Sequence, residues 1–129
     1  MTKNVRDLMT TRVATIGPDT PLEAIAKAFE RHPFHHLPVV DEERKMLGMV
    51  SDRDLIRASI AGRFDSNKPA SAVMSQMIAS IDPEASLRDA AKRLMKLGVN
   101  SLVVLDDGGK LKGILTTRDL VKALAAGEA

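Results

Sequence analysis

Short β-rich apolar runs alternate along the chain with stretches in which apolar residues recur every three or four positions. "VATI" (Val13–Ile16) is the first run, ended by Gly17-Pro18, and a run of this kind bounded by turn residues predicts a strand. Leu22, Ile25, Ala26 and Phe29 then fall on one helical face. Thr20 offers an N-cap hydroxyl, with Pro21 at the first helical position and Glu23 three residues after the cap. Pro33 stops this helix. "LPVVD", the charged turn Glu42–Lys45 and "MLGMV" form a hairpin, and Ser51 opens a last helix whose apolar face is Leu55 and Ile56. The pattern reads β-α-β-β-α.

The same pattern then returns. A shift of 65 aligns Asp7–Ala58 with Ala72–Ala123 without a gap, and 16 of the 52 positions are identical. Identity at constant spacing over this length marks a tandem duplication. "IASI" (Ile78–Ile81) ends at Asp82-Pro83; Ser86 and Asp89 are the capping pair, and Leu87, Ala90, Ala91 and Leu94 form the stripe that Gly98 ends. "LVVLD", the turn Asp107–Lys110 and "LKGIL" repeat the hairpin, and Thr116 opens a helix with Leu120, Val121 and Leu124. Arg57–Ala70 connects the copies, broken at Asn67-Lys68-Pro69. The expected organisation is repeat 1 over 1–60, a linker over 61–69 and repeat 2 over 70–129, together one module. A repeat of this size buries little apolar surface alone. Two copies are therefore expected to pack about a pseudo-two-fold axis in an α/β (α+β) fold, and the same self-complementarity predicts a homodimer.

Composition narrows the function classes. The 129 residues are 44% apolar and 28% charged, with a formal charge of +2 and no basic stripe. This excludes the electrostatic footprint of a nucleic-acid partner. With no cysteine, disulfides and thiolate zinc sites are absent. No apolar stretch is long enough to span a bilayer, and the N-terminus lacks a signal-peptide run. A cytoplasmic protein with no membrane partner is expected. Three Phe, no Tyr and no Trp leave an aliphatic core, and Met9, Met46, Met49, Met74, Met77 and Met95 read as core filling.

The most repeated piece is "GMVSDRDL" (Gly48–Leu55), which returns as "GILTTRDL" (Gly113–Leu120). Ser51 with Asp54, and Thr116 with Asp119, have capping-box spacing, worth about 0.5–2 kcal/mol each. A second reading is a ligand site. The free N–H groups of a helix N-terminus attract phosphate. A carboxylate can accept both hydroxyls of a cis-diol, and an adjacent hydroxyl and Arg53 or Arg118 suit phosphate oxygens. Gly48 and Gly113, in the strand just before, permit close approach of a backbone or a ligand. Cap and site are compatible.

With these motifs, the lead-ins "VRDLMT" and "ASAVMS" and the "LPVVD/LVVLD" strands, the chain resembles a tandem pair of cystathionine-β-synthase (CBS) domains, a Bateman module, over roughly residues 5–59 and 70–124. The resemblance implies a stand-alone, non-catalytic regulatory module that binds an adenosine nucleotide (AMP, ADP or ATP) and signals to an unidentified regulated protein by a change of shape or oligomeric state. It implies that the Asp holds ribose hydroxyls, that the Ser or Thr meets ribose or phosphate, and that the first strand lines the adenine. The implied contacts are Thr15, Ile16, His36, Pro38, Gly48, Ser51, Arg53 and Asp54 in copy one. In copy two they are Ser80, Ile81, Asn100, Gly113, Thr116, Arg118 and Asp119. Two alternatives stand beside it: an S-adenosylmethionine sensor, and a structural protein–protein interaction module with no nucleotide.

The copies disagree at Asp52 against Thr117. An extra carboxylate near the phosphate position ranks the Thr116/Asp119 site as the better one for polyphosphates. In "HPFHH", Pro33 breaks the helix that would align His32 with His35, and no acid has ligand spacing, so no metal is expected. His35 or His36 meets a phosphate at a cleft rim or is plain surface; Phe34 packs in the core or against an adenine edge. No nucleophile has an activating partner in sequence, and no enzymatic activity is expected.

Overall fold

A computed structural model of the chain describes residues 3–127. The fold is mixed α+β. Its elements are α1 (Val5–Leu8), α2 (Leu22–Arg31), β1 (His36–Val40), β2 (Met46–Ser51), α3 (Asp52–Ile60), a 3-10 turn (Ala70–Ala72), β3 (Ser80–Ile81), α4 (Leu87–Leu97), β4 (Ser101–Leu105), β5 (Leu111–Thr116) and α5 (Thr117–Ala125). They form two compact units. A central unit spans Ala14–Ile78, and a terminal unit joins Met1–Val13 to Ala79–Ala129.

These units do not coincide with the sequence repeats, because each repeat gives its lead-in to the other's unit. In the terminal unit the Val5 and Arg6 N–H groups donate to the Ala85 and Pro83 carbonyls, both at 3.0 Å. The central unit repeats this one period on: the Ala70 N–H donates to the Thr20 carbonyl at 2.8 Å and the Ser71 N–H to that of Pro18 at 3.0 Å. Burial drives the exchange. Val5 is fully buried with Leu87, Leu102 and Leu115, and Ala70 with Leu22, Val39 and Val50.

Each lead-in continues beside its unit's hairpin and joins it by a single bridge, Ser75 to Met49 and Thr10 to Ile114. The glycines of the repeated octapeptide make room for it. A Cβ at Gly48 would lie 2.7 Å from Met74 Sδ and 2.9 Å from the Ser75 carbonyl oxygen. At Gly113 it would lie 2.7 Å from the Thr10 carbonyl oxygen and 2.8 Å from Met9 Sδ. Of the two approaches that glycine permits here, a neighbouring backbone is the one present.

The hairpins pair as expected, β1 with β2 and β4 with β5, each with one register irregularity. The first strands differ. β3 pairs in parallel with β4, whereas "VATI" contributes a single bridge, Ile16 to Val39. In the terminal unit the Val103 N–H donates to the Ala79 carbonyl at 2.9 Å. The residue one period earlier is Pro38, which has no N–H to offer Ala14, so that strand shrinks.

Helix ends also depart from the expected pattern. Thr20 does not cap α2; its Oγ1 accepts from the Gly17 N–H at 3.1 Å. The first N–H groups of α2, at Leu22 and Glu23, donate instead to the Lys68 and Ser66 carbonyls at 2.8 and 3.1 Å. Ser86 does cap α4 through the Asp89 N–H at 3.0 Å. Helix α3 continues through Ile60, so the connection begins at Ala61. On α3 and α5 the buried side is Leu55 and Ala58, and Leu120 and Ala123. Ile56, Val121 and Leu124, which the sequence pattern places with them, are exposed. Met77 and Met95 are exposed too, against the expectation of core filling.

Candidate functional site

In each unit the hairpin ends where its last helix begins. Ser51 closes β2 opposite His36, and Thr116 closes β5 opposite Ser101. Both capping boxes are complete. The Ser51 N–H donates to Asp54 Oδ2 at 2.7 Å and the Asp54 N–H to Ser51 Oγ at 3.1 Å. The Thr116 N–H donates to Asp119 Oδ2 at 2.8 Å and the Asp119 N–H to Thr116 Oγ1 at 3.2 Å. The cap uses one oxygen of each carboxylate. Among the described residues Asp54 Oδ1 has only the Arg57 guanidinium at 3.8 Å, with the Asp54 side chain 17% exposed. Two half-buried carboxylates fixed in this way can accept hydroxyl donors without further ordering.

Local strand pairing gathers several of the candidates. The Ile16 N–H donates to the Pro38 carbonyl at 3.0 Å, placing Thr15 and Ile16 beside β1, where His36 and Pro38 lie. In the terminal unit the Asn100 carbonyl accepts from the Thr117 N–H at 2.9 Å and from Thr117 Oγ1 at 3.2 Å. Arg53 and Arg118 are exposed on the first turns of α3 and α5. Gly48 and Gly113 are covered by the lead-ins. Ser80 and Ile81 look elsewhere. They line a cleft of about 680 Å3 formed with α4 and the β4–β5 turn, and neither Thr116 nor Asp119 borders it. There the Ser80 carbonyl accepts from Arg93 Nε, a contact with no counterpart at Ala28 one period earlier.

The equivalent pair Asp52 and His35 adds an ionisable contact. His35 Nδ1 lies 2.8 Å from Asp52 Oδ2. That hydrogen bond chiefly, together with the Arg53 N–H and the nearby imidazoles, holds the Asp52 carboxyl below the usual carboxylate range against slight desolvation. The carboxylate that sequence comparison sets against phosphate is therefore already engaged. Phe34 packs edge-to-face on Phe29, centroids 6.0 Å apart, and stacks on His32 at 5.2 Å. Among the described residues no group of three His, Cys, Asp or Glu side chains is placed to hold a metal ion. No helix among them is long and apolar enough to cross a membrane.

Two copies of one hairpin-and-helix unit, each with a capped Gly-x-x-Ser/Thr-x-x-Asp end, define the class. The chain belongs to the CBS domain family, whose model matches residues 5–61 and 70–126. Among curated proteins it is 36% identical to the CBS domain-containing protein YhcV of Bacillus subtilis over 117 residues, covering 91% of this chain and 82% of that one. Among solved structures, a putative acetoin utilization protein (AcuB) from Vibrio cholerae superposes with a TM-score of 0.86 at 29% identity, covering 98% of this chain and 93% of that one. CBSX2, solved in complex with AMP, gives 0.84 at 28%, covering 98% and 99%.

Arg57, Arg63 and Lys68 were not singled out by the sequence reading. They line a groove of about 320 Å3 in the central unit that Asp54 also borders. The available signal was the charge reversal of Arg63 against Glu128, in a stretch read only as connection.

Proposed function

We propose that this CBS pair is a non-catalytic regulatory module that binds an adenosine nucleotide through Asp54 and Asp119. The observation that carries this reading is the state of those carboxylates: each is fixed by its cap through Oδ2 and keeps Oδ1 for a ribose hydroxyl. The AMP complex of CBSX2, similar over nearly the whole chain, supports the ligand class. Ser51 and Thr116 and the helix N-termini behind them suit the first phosphate. We place the first-strand residues Thr15 and Ile16 against the base in the central unit. Bound ligand biases the orientation of modules in a homodimer and so changes what the dimer recruits. Exposed Ile56 and Ile60 on α3, with Val121 and Leu124 on α5, supply apolar faces at related positions for self-association.

Titration with AMP, ADP, ATP and S-adenosylmethionine, followed by calorimetry and thermal unfolding, tests the reading. Ligand at a hundred times Kd stabilises by about 2.7 kcal/mol. Asp54→Asn and Asp119→Asn should each remove one site. Absence of stabilisation by every adenosine compound at millimolar concentration would leave a pure interaction module. Stabilisation by S-adenosylmethionine alone would make it a sensor of that compound.

A further inference from the structure

The groove beside Asp54 has a construction of its own. One side of α3 presents Asp54, Arg57, Ala58 and Ala61, at helical spacings of three, four and seven, and Ala72 and Val73 of the lead-in face them. Small side chains make the depression, and charged ones rim it. Arg63 and Lys68 reach it from backbone that is fixed at both places. Gly62, at φ +70°, ends α3 in the left-handed conformation. The Gly62 N–H then bonds the Ser59 carbonyl at 3.1 Å and the Arg63 N–H bonds that of Ala58 at 2.7 Å. This is a Schellman closure, which anchors Arg63 over the helix end. Lys68 is held by its N–H on the Asp65 carbonyl at 3.0 Å and by its own carbonyl on the Leu22 N–H at 2.8 Å.

Three cations and one carboxylate border the groove, a balance of two positive charges. The carboxylate is already engaged by the Ser51 N–H. Asp65, the acid of the connecting segment, lies outside the lining and accepts from the Asn67 N–H at 2.9 Å. Arg63 and Lys68 have no ion-pair partner among the described residues, and Arg57 has only the long contact to Asp54. One period on in the sequence, Arg57 becomes Lys122, Ala72 is matched by Asp7, and Arg63 by Glu128, which lies outside the described residues. Lys68 is matched by Lys3, so the copies differ in charge at Arg63 and Ala72 and keep a cation at the other two places.

We infer that this groove is a binding site for a doubly charged phosphate-type oxyanion, held by Arg57, Arg63 and Lys68. Two arginines and a lysine bordering one small depression offer guanidinium and ammonium groups that suit phosphate oxygens in a way that an isolated surface charge does not. The site goes beyond the ribose contact at Asp54 and does not depend on an adenosine moiety. It also reverses the ranking drawn from Asp52: phosphate chains favour the central unit.

The experiment is calorimetric titration of the protein with inorganic pyrophosphate and inorganic phosphate at low ionic strength. Saturable binding of one pyrophosphate is expected. Arg63→Gln with Lys68→Gln should weaken it at least about tenfold, as loss of charge-assisted hydrogen bonds implies. Arg63→Lys with Lys68→Arg, which keeps the charge, should restore most of it. Lys122→Gln should leave it unchanged. No saturable binding, or equal weakening by Lys122→Gln, would overturn the site in favour of diffuse attraction. Adenosine, which carries no phosphate, separates the two claims. If pyrophosphate binds and no adenosine compound does, the anion site stands and the nucleotide reading fails; if adenosine binds and pyrophosphate does not, the reverse holds.

Discussion

The central and terminal units are built from related sequence to one plan, yet their chemistry diverges at the edges. Both bury an aliphatic core, both receive a lead-in from the other repeat, and both close the last helix with a complete box. The terminal unit has the longer first strand and the side-chain cap on α4. The central unit has Pro38, the His35–Asp52 pair and the cationic groove. What the copies share is what each needs to fold. Where they differ, Pro38 changes a buried strand, whereas the His35–Asp52 pair and the cationic groove change exposed surface.

The largest effect should come from breaking a shared feature. Gly113→Val and Gly48→Val force a side chain against the lead-in, where even a Cβ falls within 3 Å of a carbonyl oxygen and a Met sulfur. Overpacking of this kind costs about 1–3 kcal/mol. Backbone oxygen cannot yield as a Met side chain can, and it is nearer at Gly113. Urea unfolding should therefore show Gly113→Val as the more destabilised. Equal stability to the parent in both would mean that the lead-ins are not held against the hairpins.

The caps come next. Ser86→Ala removes the only side-chain cap seen on α4 and should cost about 1 kcal/mol. Thr20→Ala removes a turn contact to Gly17 and should cost no more than about 0.5 kcal/mol. A larger loss at Thr20 would show that its hydroxyl supports α2 directly.

That last contrast marks where sequence stops being legible. Both Ser/Thr–Asp boxes were readable because each rests on residues within one turn of each other, and the duplication because its letters return at a constant spacing of 65. Thr20-Pro21-Leu22-Glu23 has the right local letters for a cap, but the donors it would satisfy are taken by the carbonyls of Ser66 and Lys68, more than forty residues away in the chain. The exchange of lead-ins is likewise invisible to a pattern of local periodicity, since Val5 looks equally apolar whichever hairpin buries it. Ile56, Val121 and Leu124 were misplaced for a related reason: a helical stripe says which residues are apolar, not how wide the buried strip is. The candidate site divides in the same way. Asp54 and Asp119 lie where their spacing puts them, whereas Ser80 and Ile81 line a cleft away from Thr116. Arg63 and Lys68 meet Asp54 only through the path of the connection.

Pro38 and Val103 offer a smaller and reciprocal test. Val103→Pro deletes the bond to the Ala79 carbonyl and should cost about 1 kcal/mol, the lower range for leaving a half-buried acceptor unpaired. Pro38→Val supplies the missing N–H to Ala14, a gain that loss of the proline's restraint on the unfolded chain roughly offsets. Stability should hardly change, but a newly protected amide should appear at position 38 in hydrogen exchange. Failure of that amide to gain protection would show that the short first strand has another cause.

The smallest effect concerns His35 and Asp52, present in the central unit alone. Unfolded, the Asp52 carboxyl titrates near about pH 4; folded, the hydrogen bond from His35 holds it lower. The folded state then binds the proton less readily than the unfolded one. The contribution of this carboxylate is accordingly complete above the ordinary value and is lost as pH falls through the depressed one. The side chains are 71% and 39% exposed, so solvent screening limits the contribution to a few tenths of a kcal/mol. Asp52→Thr, the residue of the terminal unit at this place, removes the titrating group. The difference in urea midpoint between parent and variant should be present at about pH 6 and shrink toward about pH 3. A difference independent of pH would show that Asp52 acts through the shape of the first turn of α3, and the two units would then differ here in geometry and not in charge.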